Sequence, residues 1–324
     1  MPLPDGPPAR PHDVAVLAEP RLAAALDDDG LAELLDALDA ALPDPGEQVA
    51  RILAAGGPEP SPRLADVETL ISAIDLTTLE ATDPPSRVLA LAEQALQPDP
   101  DGDPITSGTC PRVAAVCVYP DLVEVAARRL AGTGVAVASV AGAFPSGRAT
   151  LATRLADVAD ALQAGADEID MVIDRGAFLD ARYAKVLDDV AQVRRVCDEH
   201  RRGVHLKVIL ETGELGTARA VRDAGWLALL GGADVVKTST GKAAPAATPE
   251  SAAAVALTVR TWSDATGARA GVKVAGGVRT AQDALGYLAL LRAAGLPVTP
   301  DRFRIGASSL LAALVGVRRE LLGG

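Results

Sequence analysis

From about residue 64 onward, short runs rich in β-branched residues alternate with longer Ala/Leu/Arg/Asp stretches of helical period in this 324-residue chain. The apolar runs are SAIDL (72–76), VAAVCVY (113–119), VAVASVA (135–141), EIDMVI (168–173), HLKVILE (205–211), DVVKTS (234–239), GVKVAG (271–276) and RFRIGA (302–307). Each is followed by a helix-length segment, the last being SSLLAALVGVRRELL. Eight β-then-α units predict a (β/α)8 TIM barrel of the α/β class. A doubly wound open sheet is the alternative, but no Gly-rich fingerprint follows the first run.

Residues 1–63 stand outside this rhythm as an N-terminal extension, so the expected division is 1–63 and a barrel domain of 64–324. Residues 1–12 are Pro-rich and read as disordered. Residues 13–56 predict two or three short helices, and GGPEPSPR (56–63) reads as a linker. No chemistry is visible in the extension.

Parallel barrel strands alternate between the interior and the helix layer. With Ile169, Met171 and Ile173 facing the helices, Glu168 and Asp170 turn inward. The same rule turns Lys207 and Glu211, then Lys237, then Lys273 inward on the next three strands. Lysine is scarce: Lys185, Lys207, Lys237, Lys242 and Lys273 are five of 31 basic residues. Three of them occupy apolar runs, where a charge is most costly to bury. A desolvated lysine can lose its proton and act as a nucleophilic amine, which arginine does not. A buried ion-pair network is the competing explanation, but ionisable groups on four adjacent strands favour a catalytic cluster. Two ammonium groups ~6 Å apart at an effective dielectric of ~20 repel by ~3 kcal/mol, enough to leave one partly neutral.

Three Gly/Ser-rich turns, STGK (239–242), AGGVRT (275–280) and GASS (306–309), follow the last three strands, where barrels often hold phosphate. A net charge of −12 makes a nucleic-acid partner unexpected. The three cysteines and three histidines show neither a disulfide framework nor zinc-ligand spacing. Without a signal peptide or a transmembrane run, the expectation is a cytoplasmic protein with no membrane partner.

Taken together, DLTTL (75–79), VAAVCVYP (113–120), VASVAGAFPSG (137–147), GADEID (165–170), LKVILETGEL (206–215), ADVVKTSTGK (233–242), GVKVAGGVRT (271–280) and FRIGASSLL (303–311) resemble the deoxyribose-phosphate aldolase family of class I lyases. The resemblance implies reversible cleavage of 2-deoxy-D-ribose 5-phosphate to acetaldehyde and D-glyceraldehyde 3-phosphate. It implies Lys237 as the Schiff-base nucleophile, Lys273 as the lysine that lowers its pKa, and Asp170 as the acid/base. Gly241, Lys242, Gly276, Gly277, Ser308 and Ser309 match the phosphate cradle. Asp75 and Thr77 would line the pocket near the substrate hydroxyls, and Lys207 would support Asp170. No metal or organic cofactor is implied, and the relatives suggest a homo-oligomer. Cys117 reads as a small buried apolar residue and Lys185 as a surface charge. Val274 stands where many relatives have proline, and the extension lies outside the short bacterial pattern. Three rival readings are another Schiff-base barrel, which shares the lysine but not the Lys237/Lys273 pair with KTSTGK, a phosphate-binding isomerase, which would use carboxylates or Cys/His and need no imine, and a non-catalytic barrel, which has no need for a lowered lysine pKa.

Overall fold

Strand formation follows the β-branched runs closely. A computed structural model describes residues 11–57, 61–102 and 108–323. The strands are β1 (Ile74–Thr77), β2 (Ala115–Val118), β3 (Ala136–Ala141), β4 (Glu168–Val172), β5 (His205–Ile209), β6 (Val235–Lys237), β7 (Gly271–Ala275) and β8 (Phe303–Ala307). They pair in parallel in chain order, and β1 closes on β8 to complete the TIM barrel. All eight expected strands form, most of them trimmed at one or both ends, while β1 starts later and runs on to Thr77. β5 stops at Ile209, so Glu211 lies beyond the strand rather than on its inward face.

Valines and isoleucines on one side of the strands pack against the helix layer, as Val116, Ile169, Val208, Val236, Val272 and Ile305 do. Threonine caps start several of the outer helices. Thr248 and Thr280 form reciprocal capping boxes with Ser251 and Asp283, and Thr217 accepts from Ala220 N–H. The last helix, Leu310–Gly323, follows β8 as expected.

The extension forms four helices where two or three were expected: Pro11–Leu17, Pro20–Ala23, Asp28–Ala41 and Pro45–Ala55. Proline at a first turn and the Asp27 and Asp44 caps give three short starts in this segment. Of the stretch read as disordered, residues 11 and 12 begin a helix, and 1–10 lie outside the described residues. Helix Asp28–Ala41 buries Leu31, Leu34, Leu35 and Leu38 against the barrel's outer helices. Leu17 carbonyl accepts from Trp226 Nε1 at 3.0 Å, and Asp39 pairs with Arg222 at 2.9 Å. This cover explains why helix Ala218–Leu230 is buried almost all round: one side meets the barrel and the other the extension. Among the described residues, no helix is long and apolar enough to cross a membrane.

Candidate active site

The barrel interior has two unlike halves. On β2 and β3 it is small and apolar, with Ala115, Cys117, Ala138 and Val140 joined at the mouth by Leu79, Tyr119 and Phe144. The remaining strands supply charge. Strand register sets Lys237 beside Lys273, Lys273 beside Arg304, and Asp170 beside Lys207. The inward alternation read from the sequence therefore holds for Glu168, Asp170, Lys207, Lys237 and Lys273.

Asp170 is the centre of this cluster. Its Oδ2 accepts from Lys237 Nζ at 2.8 Å and from Lys273 Nζ at 2.7 Å, while Oδ1 accepts from Lys207 Nζ at 2.8 Å. Lys273 also reaches Asp75 at 2.5 Å, and Lys207 reaches Glu168 at 2.6 Å and Asp75 at 3.2 Å. Arg304 closes the lower side, with Asp75 at 2.5 Å and Glu168 at 2.8 Å. Gly306 leaves room for this packing, since a Cβ there would stand 3.1 Å from Lys273 Cε.

Four cations thus meet three carboxylates, and the imbalance falls on one residue. Burial pushes the Lys237 pKa down; Asp170 opposes this, but burial together with the neighbouring Lys273 ammonium prevails and the pKa falls. Burial also opposes the charges on Lys273 and Lys207, but there the carboxylates prevail and both pKa values rise. Asp170 would be raised by burial alone; its three lysines hold it well below the usual carboxylate range. Releasing the Lys237 proton leaves the cluster neutral. This arrangement can present one amine as a nucleophile while its neighbours stay charged.

Some expected site residues sit differently. Asp75 is fully buried within the ion cluster rather than open to the mouth, and Thr77 Oγ1 donates to Asp75 carbonyl at 2.8 Å. Lys242 Nζ pairs with Glu80 at 3.0 Å across the mouth. Lys185 is half-buried and bridges Asp174 at 3.3 Å and Asp189 at 2.6 Å, so it is no free surface charge. Cys117 is fully buried and burial pushes its thiol up, in line with a small core residue.

The glycine turns converge. Gly241, Gly276 and Gly277 have φ of +75°, +85° and +84°, and a Cβ on Gly276 would approach Gly241 Cα to 3.2 Å. Ser308 and Ser309 are exposed immediately before helix Leu310–Gly323, whose free N–H groups suit an anion. Thr238 and Ser239 tie this loop to β7, since Thr238 Oγ1 accepts from Ala275 N–H at 3.0 Å and Ser239 Oγ donates to Ala275 carbonyl at 2.5 Å.

Arg304 was missing from the sequence-derived site, although the alternation carried the signal: Phe303 and Ile305 face the helices, which turns Arg304 inward. Arg175 and the contacts of Glu211 had no such signal, because they lie past the strand ends, Arg175 at the start of the short helix Arg175–Leu179.

Comparison with known proteins agrees with this geometry. Residues 69–315 match the model of the DeoC/LacD family aldolases. Deoxyribose-phosphate aldolase of Mus musculus is 41% identical over 255 residues, covering 75% of this chain and 77% of that protein. The Homo sapiens enzyme is 39% identical over the same shares. The tetrameric deoxyribose phosphate aldolase structure from Aeropyrum pernix superposes with a TM-score of 0.63 at 25% identity, covering 82% of this chain and 97% of that one. With a family model spanning its barrel and relatives at this level of identity, the chain belongs to the DeoC/LacD aldolase family.

Proposed function

We propose that this aldolase cleaves 2-deoxy-D-ribose 5-phosphate reversibly to acetaldehyde and D-glyceraldehyde 3-phosphate through an imine on Lys237. The observation that carries the reading is Lys237 Nζ, buried with its pKa lowered, held 2.8 Å from Asp170 beside the charged Lys273. The names of the mouse and human relatives support the substrate.

In this mechanism neutral Lys237 attacks the C1 aldehyde of the open-chain sugar. The carbinolamine loses water as Lys273, with Asp170 beside it, supplies a proton. The resulting iminium restores the positive charge that Lys237 gave up, and Asp170 faces it directly. Removal of the C3 hydroxyl proton then breaks the C2–C3 bond. The electron pair passes into the iminium to give an enamine, and glyceraldehyde 3-phosphate departs. Protonation at C2 and hydrolysis release acetaldehyde and free Lys237. Asp170 and Lys273 are the proton-handling groups, and Lys207 holds Asp170 in place. Asp75 and Thr77 support this cluster at the end of β1. Gly241, Lys242, Gly276, Gly277, Ser308 and Ser309 receive the phosphate, with Lys242 exchanging Glu80 for it.

Catalysis is assigned to residues 64–324. The three free cysteines suit a reducing cytoplasm, and a homo-oligomer is in keeping with the Aeropyrum tetramer. The test is to incubate the protein with acetaldehyde, reduce with borohydride and map the adduct by mass spectrometry. Modification at Lys237 is expected, and an unmodified Lys237 under turnover conditions overturns the mechanism.

A further inference from the structure

Glu211 is fully buried at the catalytic end of the barrel, yet it takes no part in the Asp170 cluster. Its backbone is left-handed, φ 56° and ψ 58°, a conformation that a residue with a Cβ adopts at a cost. Glycine would hold the same turn without strain, so the side chain must be serving something else. What it serves is the loop after β6. Glu211 Oε1 and Oε2 accept from Thr240 N–H at 3.2 and 3.3 Å, and Oε2 also accepts from the Thr240 hydroxyl. Thr240 Oγ1 in turn accepts from Lys242 N–H at 3.0 Å.

Arg175 holds Glu211 from the other side. Its Nη1 reaches Glu211 at 3.3 Å, its Nε reaches Glu214 at 3.2 Å, and its Nη2 donates to Ser146 carbonyl at 3.3 Å. One guanidinium therefore links the loops after β3, β4 and β5, and Glu211 passes the link on to the loop after β6. A Cβ on Gly213 would stand 2.2 Å from Pro245 carbonyl, so the loops after β5 and β6 also meet backbone to backbone.

We propose that Glu211, seated by Arg175, is a positioning residue that fixes the Thr240–Lys242 turn for the phosphate end of the substrate. The inference rests on the phosphate site proposed above. A carboxylate offers acceptors alone, and both Thr240 donors use them. Glutamine at 211 keeps the shape but gives up an acceptor oxygen and sets an NH2 against either Thr240 or Arg175.

The experiment compares kcat and KM for 2-deoxyribose 5-phosphate and for unphosphorylated 2-deoxyribose, in the wild type, Glu211→Gln and Glu211→Gly. Borohydride capture of acetaldehyde on Lys237 reports the chemistry separately. The expected result is a fall of about tenfold or more in the preference for the phosphorylated sugar, carried by KM, with capture unchanged. Glycine suits the left-handed turn, so Glu211→Gly carries the test should the glutamine variant fail to fold. Thr240→Val, which removes the hydroxyl donor, carries it should both fail. Variants that keep the wild-type preference overturn the inference, as does an equal loss on both sugars together with lost capture. A wild type with no preference for the phosphorylated sugar defeats the phosphate site itself and this inference with it.

Discussion

Replacing Lys273 with methionine tests the electrostatic core of the site. Lys237 and Lys273 donate to the same oxygen of Asp170 at 2.8 and 2.7 Å, so their nitrogens stand no more than about 5.5 Å apart. At an effective dielectric of about 20 their repulsion is about 3 kcal/mol, or about two pKa units. Lys273→Met removes that repulsion and leaves Asp170 fully available to Lys237, both of which favour the protonated amine. The acid limb of imine formation should therefore move up by about two pH units, and the neutral fraction of Lys237 at pH 7 should fall by up to about a hundredfold. The assay is single-turnover capture of acetaldehyde with cyanoborohydride across pH, read as the mass adduct on Lys237. Lys273 also assists carbinolamine dehydration, so the reading is the position of the acid limb rather than the height of the plateau. A limb that stays in place, or moves to lower pH, would refute the account of how the Lys237 pKa is lowered.

Arg304→Met leaves Asp75 and Glu168 short of a partner and should cost about 3–5 kcal/mol in denaturant unfolding; a loss under about 1 kcal/mol would show that the lower cluster is dispensable. Asp75 is buried, which alone would raise its pKa, but Lys207, Lys273 and Arg304 hold it below the usual carboxylate range. Its contribution to stability is complete above about pH 4 and is lost as pH falls through the depressed value, so removing Arg304 should move acid unfolding to higher pH. Gly276→Ala combines a φ of +85° with a Cβ 2.7 Å from Ala246 Cβ; it should cost at least about 1–2 kcal/mol and raise KM for the phosphorylated sugar more than it lowers kcat. Leu38→Ala, in the extension, should cost about 2–5 kcal/mol in the same unfolding experiment, whereas a detachable extension would leave the barrel transition unmoved.

The barrel was legible because two periodicities suffice to specify it: period two in the strands and a helical period between them. The alternation that placed Asp170, Lys207, Lys237 and Lys273 inward also placed Arg304, and applied evenly it identifies every charged member of the cluster on the strands. What it does not reach is whatever lies past a strand end. Glu211 kept the inward parity of β5 on paper, but the chain turns into a left-handed conformation there and the side chain meets Thr240 instead. Arg175 contacts residues from two segments distant in sequence, those after β3 and β5, and no local pattern encodes such a meeting. The extension showed its helices but not their docking, because Leu17, Asp28 and Asp39 find partners more than 150 positions away.

The division of the barrel interior has a practical outcome. Reactivity is written on β1 and β4–β8, where each charge is tied to the next, so that a change to one is felt by all. The opposing Ala115, Cys117, Ala138 and Val140 carry no charge and take no part in those ties. Side-chain volume can be added or removed on β2 and β3 while the ionic machinery stays as it is. Altered aldehydes should thus be sought through substitutions on that wall, with activity toward the native reaction declining by shape rather than by loss of the nucleophile.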